Sequence, residues 1–126
     1  MSATPISWKL RIRGNPSRIV NNAELPLDHK IFHTVFDLKE KPQIPSINVA
    51  LAGRPYGITW ERDDAREVHF KAIHDDQGRM MVIICHNTDL GDGWEREGEN
   101  EEYFKQFSER LAYPMGINIV YWAMTH

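Results

Sequence analysis

Apolar and polar positions alternate most clearly over Val68 to Ile73, where Val68, Phe70 and Ala72 interleave with His69, Lys71 and Ile73. A period of two predicts a half-buried strand. Asp75-Asp76-Gln77-Gly78 follows. Aspartates bond the local backbone and glycine takes positive φ, so a tight turn is expected there. Arg79 to Cys85 reads as a second strand, and the two form a hairpin. The run Met80-Met81-Val82-Ile83-Ile84 is apolar on both faces. Such a strand is expected to lie centrally and to be covered on both sides.

Weaker patterns flank this hairpin. Trp8, Leu10 and Ile12 alternate with Lys9, Arg11 and Arg13, a strand-like run that Gly14-Asn15-Pro16 breaks. Ile31, Phe32, Val35, Phe36 and Leu38 are spaced for a short helix or turn, and Pro42 and Pro45 hold residues 39–46 extended. Tyr56 to Trp60 reads as a short strand after the Gly53-Arg54-Pro55 turn. Towards the end, Tyr103, Phe104, Phe107 and Leu111 recur at helical spacing. Pro114 then starts a second helix, on which Ile117, Val120, Tyr121 and Met124 form an apolar stripe. Strands, a loop and covering helices predict a layered α/β sheet. The strand candidates and helices are few for a strand apolar on both faces, so the chain reads as the back half of a larger domain.

Composition adds limits. A chain of 126 residues with 41% hydrophobic and 26% charged residues is globular in type, and a net charge of −3 points to no nucleic-acid partner. Residues 1–20 carry four basic side chains and no acid, whereas 86–102 carry seven acids against Arg96 alone. Both runs read as solvated faces. No stretch is long enough to span a membrane and no export leader is visible, which leaves localisation open. The single cysteine, Cys85, ends the most apolar run and is expected to be a buried, inert thiol.

Candidate chemistry gathers in Cys85-His86-Asn87-Thr88-Asp89-Leu90-Gly91-Asp92-Gly93-Trp94-Glu95. Loops at the carboxyl ends of sheet strands are where α/β folds hold ligands. His86, Asn87, Asp89 and Asp92 can ligate a hard cation or accept from sugar hydroxyls, and Trp94 offers a stacking face. The same residues also make an ordinary turn and helix start. No calcium loop, Walker loop, Rossmann pattern or nucleophile elbow occurs, and Cys85 lacks the glycine neighbours of a strained nucleophile turn. His29 and His33 would share a helix face but have no third ligand spaced nearby, so they read as structural, with Asp28 capping or turning the chain. Trp-Glu-Arg occurs at 60–62 and at 94–96. If the two triplets converge, Glu61 and Glu95 would form a carboxylate pair.

"ELPLDHKIFHTVFDLKEKPQIPSI", "GITWERDDA", "DDQGRMMVIICHNTDLGDGWERE" and "AYPMGINIVYWAMTH" closely resemble the C-terminal part of the domain-of-unknown-function 4159 family of bacterial proteins, from about Glu24 to His126. The resemblance implies a class I glutamine amidotransferase-like, flavodoxin-like layered α/β sheet. It also implies further βα units before the "LPLDH" block, which this chain lacks, so the N-terminal half of that sheet would be incomplete. Residues 1–20 do not resemble the family, and 21–126 would be the C-terminal part of its domain. Similar full-length proteins are often exported or membrane-associated, and some resemble gene neighbours of AAA-type ATPase and von Willebrand factor A systems.

The expected function is a non-catalytic binding or assembly module for a carbohydrate or protein ligand, without cofactor or metal. The expected ligand-binding residues are His86, Asn87, Thr88, Asp89, Asp92, Trp94, Glu95, Trp60 and Glu61. One rival is a metal- or carboxylate-assisted hydrolase with a cleft between 60–64 and 86–95. Another is a truncated domain inactive alone, which would expose apolar surface and self-associate through the uncovered sheet.

Overall fold

The computed structural model describes residues 9–11, 19–53, 57–96 and 98–126, with side chains from Asn22 onward. The expectations on Trp8, Ile12, Gly14-Asn15-Pro16, Arg54-Pro55 and Tyr56 lie outside the described residues. Strand β1 (Lys9–Arg11) pairs antiparallel with β2 (Ile19–Asn21).

A second, antiparallel sheet carries the core. It runs β3 (Ala23–Glu24), β4 (His69–His74), β5 (Met80–His86). The expected hairpin is there, with Phe70 opposite Cys85 and Ala72 opposite Ile83. Its turn works as the residues dictate. Asp75 Oδ1 accepts from the N–H groups of Gln77 and Arg79 at 2.9 and 2.8 Å, and Gly78 sits at φ +81°. The placement of β5 is different from the expectation. β4 is central and β5 forms the edge, and no other strand among the described residues pairs with its outer side. Met81 and Val82 are accordingly 49% and 43% exposed. An apolar run fixes that a strand will be sticky on both faces; it does not supply the neighbour.

The inner face of the sheet packs against the segment before β4 and the helices after β5. Phe70, fully buried, meets Phe32 edge-on with ring centres 5.4 Å apart. Leu25, Leu38, Ile44, Leu90, Tyr103, Leu111 and Met115 close around them. Burying one such aromatic contributes roughly 2–3 kcal/mol. Residues 30–33 form the expected short helix, a single 3-10 turn that buries Ile31 and Phe32. His29, not Asp28, caps it, its Nδ1 accepting from Ile31 N–H at 3.1 Å. Its neighbour His33 is held by Asp37 and by the Leu27 carbonyl. These bonds make both histidines structural. Gly57 to Trp60 is no strand; it is irregular chain held by side-chain bonds.

Helix α1 (Ile47–Ala52) is capped by Ser46, α2 (Leu90–Glu95) by Asp89 and α3 (Glu101–Tyr103) by Asn100. From α3 the chain stays helical to Thr125, through a wide π-type segment at Phe104–Ala112 and then α4 (Tyr113–Thr125). Pro114 therefore does not restart the helix. Proline has no N–H to give and its ring crowds the preceding turn. Opening that turn to the wider register, in which Tyr113 N–H reaches Ser108 O, lets the helix pass through it.

The apolar stripe of α4 also differs from what a covering helix needs. Met115 and Asn118 face inward and are fully buried, whereas Ile117, Val120, Tyr121 and Met124 face out. Asn118 explains the choice of face. Its Oδ1 accepts from Val35 N–H and Phe36 N–H at 3.1 and 2.9 Å, and its Nδ2 donates to Phe36 O at 2.9 Å. One amide thus satisfies three backbone groups of the loop after the 3-10 turn, and a buried polar group must be satisfied.

Candidate functional site

The segment after β5 is shorter than the sequence suggested. Only Asn87-Thr88-Asp89 is loop, since Leu90 onward is already α2. Asn87 takes φ +59°, a conformation asparagine tolerates better than most residues. Its Nδ2 donates to Ala65 O and Glu67 O at 2.7 and 3.0 Å. Thr88 Oγ1 donates to Pro42 O at 2.9 Å and accepts from Ile44 N–H at 2.9 Å. Asp89 caps α2 through Asp92 N–H, while its own N–H donates to Ile44 O at 2.7 Å. Asp92 Oδ2 accepts from Ile47 N–H at 3.0 Å, at the start of α1. Polar side chains of the motif thus clamp the extended, proline-bounded chain of residues 42–47.

Gln43 is a functional part of that clamp that sequence reasoning missed. It donates to Arg66 O at 2.7 Å and to Asn87 O at 3.3 Å, and its Oε1 accepts from Thr59 Oγ1 at 2.7 Å. Its partners lie 16 to 44 residues away, so no local pattern signals it. Gly93 serves packing. A Cβ there would lie 2.6 Å from Ala112 Cβ, so the close approach it permits is of α2 to its own core, not of a ligand.

Beside the clamp lies a cleft of about 490 Å³ between the inner face of β5 and α2. Glu61, Asn87, Thr88, Asp89 and Trp94 of the expected site line it, together with Ile44, Thr59, Ile83, Cys85, Leu90 and Gly91. Trp94 is 42% exposed; its Nε1 donates to Ala112 O at 2.8 Å and its ring lies against Gly116. The remaining expected residues are elsewhere. Strand alternation turns His86 to the opposite face, where its ring lies 5.8 Å from that of His69. Its Nδ1 is buried with no hydrogen-bond partner among the described residues. Asp92 is turned to α1 and Arg96. Trp60 donates to Asp63 and carries Arg66 over its ring at 4.8 Å. Glu95 is exposed and outside the cleft lining.

The two Trp-Glu-Arg triplets therefore do not converge as units: the first brings Glu61 to the cleft and the second brings Trp94. Arg62 pairs with Asp64, and Arg96 with Glu99.

Two protons near the cleft are held firmly. Burial pushes the Cys85 thiol up to about 11, away from the thiolate a nucleophile needs. The Tyr103 hydroxyl, which donates to Pro45 O at 2.9 Å, is pushed up as well, first by burial and then by the nearby charges of Asp92 and Asp89. Among the described residues no three His, Cys, Asp or Glu side chains are grouped to hold a metal ion. No described helix is long and apolar enough to cross a membrane.

No curated protein and no solved structure matches the chain. A family model does match, over residues 17–124, and by that match the chain belongs to the family described as Domain of unknown function (DUF4159).

Proposed function

We propose that this chain is a non-catalytic binding or assembly module whose ligand is an extended polypeptide segment. The observation that carries the reading is the cleft of about 490 Å³ opening beside the outer edge of β5, which no strand among the described residues pairs. An unpaired edge offers a row of backbone donors and acceptors to an incoming strand. Strand addition draws affinity from those bonds and selectivity from pockets that take alternate side chains. The inner lining of Ile44, Ile83, Leu90 and Trp94 suits an apolar side chain, with Glu61 and Asp89 at hand for a polar neighbour. The half-exposed Trp94 face beside Asp89 favours a sugar as the second reading, because an aromatic face with adjacent acceptors is how a carbohydrate ring is held.

The test is an NMR titration of the labelled chain with two probe sets, seven-residue peptides of alternating apolar and polar residues and a panel of soluble oligosaccharides. The reading expects peptide-dependent shifts in the backbone amides of Met80–His86 and in the Trp94 indole N–H. Shifts confined to Trp94 and produced by a sugar would support the second reading. No response at either place to either set would remove both.

A further inference from the structure

We propose that the outer face of α4 is a self-association surface, on which a second copy of this chain packs its own α4 antiparallel about a two-fold axis. This surface is separate from the cleft, and the inference does not depend on the cleft's ligand. Residues 111–126 contain no Asp, Glu, Lys or Arg. A helix without a charged face is a buried helix, and among the described residues α4 is covered on one side alone. Its uncovered side carries Ile117, Val120, Tyr121 and Met124, of which Val120 is 57% and Met124 81% exposed.

Three features select a second copy as the occupant. The stripe is symmetric about its own midpoint, between Val120 and Tyr121. Antiparallel pairing there sets Ile117 against Met124 of the other copy and Val120 against Tyr121. Each of the four residues then meets another of the four, as a two-fold contact requires. The whole stripe, with Val35 and Gly116, also lines one shallow apolar groove of about 390 Å³ along the helix, open to a second helix laid against it. The unbranched Met124 side chain adapts to the surface it meets. Finally, the area is of the right order. The stripe and Val35 together expose on the order of 500 Å² per copy, so pairing would bury at most on the order of 1,000 Å² in total, the size of a weak, reversible interface.

The test is sedimentation equilibrium of the whole chain from about 5 to about 500 µM, a span that brackets the micromolar range small interfaces reach. A concentration-dependent monomer–dimer equilibrium is expected. Val120→Asp and Met124→Asp should each weaken it by about tenfold or more without changing the circular dichroism spectrum. Met81→Lys, on the β5 edge, should leave it intact. A chain that stays monomeric throughout would overturn the inference, as would a dimer dissolved by Met81→Lys and not by the α4 variants. Register is checked in a Cys85→Ser background by oxidising copies carrying Ile117→Cys with copies carrying Met124→Cys. The mixture should form an intermolecular disulfide far faster than either variant alone. Equal cross-linking in the separate samples contradicts the antiparallel pairing.

Discussion

The turn after β5 and the outer face of α4 are opposites. The turn is dense in polar atoms, and its Asn87, Thr88, Asp89 and Asp92 side chains all hold backbone of the same molecule. The helix face has no polar residue in its stripe and nothing among the described residues covers it. Composition alone assigns chemistry to the first and an inward, structural role to the second. The structure partners polar side chains of the first with backbone and leaves the second exposed, because what matters is which groups are still unpartnered after folding.

That contrast can be broken first at Asn118, which fixes the face α4 buries. Asn118→Leu keeps the branched shape, adds some bulk and leaves two part-buried N–H groups and a carbonyl without their amide partner; a loss of about 3–4 kcal/mol is expected in urea unfolding. A loss under 1 kcal/mol would mean that another packing of α4 is almost as good. Gly93→Ala comes next. The new methyl would sit 2.6 Å from Ala112 Cβ, and overpacking of this kind costs about 2 kcal/mol. Thr88→Val removes a hydroxyl that both donates and accepts, for an expected 1–2 kcal/mol, roughly the worth of two neutral hydrogen bonds. Glu61→Gln, at a surface position in the same cleft, should change stability by less than about 0.5 kcal/mol. Equal effects at Thr88 and Glu61 would erase the distinction between clamp and cleft.

Cys85 gives the pH prediction. Only the thiolate alkylates, and raising the pKa from 9.0 to about 11 lowers the thiolate fraction at pH 8 by about 100-fold. Iodoacetamide labelling of the native chain should be slower than that of the urea-unfolded chain by at least that factor. The native rate should climb with pH until near 11. Rapid labelling of the native chain at pH 8 would point to an activated thiol and reopen the nucleophile reading.

The hairpin was legible in the sequence because its signals are local: alternation over Val68–Ile73 and an Asp-Gly turn whose bonds span four residues. The helical spacing of Tyr103 to Leu111 was legible for the same reason. What could not be read is what depends on distant partners. β5 looked central because apolarity on both faces reports stickiness and not the presence of neighbours. The α4 stripe looked like a covering face because periodicity does not see Asn118 reaching 82 residues back to Phe36. Of the candidate site, Glu61, Asn87, Thr88, Asp89 and Trp94 meet at one cleft, while His86 left by simple strand alternation, a step that the sequence does contain. Gln43 was invisible because its partners come from three separate segments.

Residue-resolved amide exchange across Met80–Gly93 tests the central contrast most directly. The account predicts slow exchange at Asp89, Asp92 and Gly93, whose N–H groups donate to Ile44 O, Asp89 Oδ1 and Asp89 O, and alternating slow and fast exchange along β5. Fast exchange in the turn together with uniform protection of β5 would contradict it, since the turn would then be free and the edge already occupied.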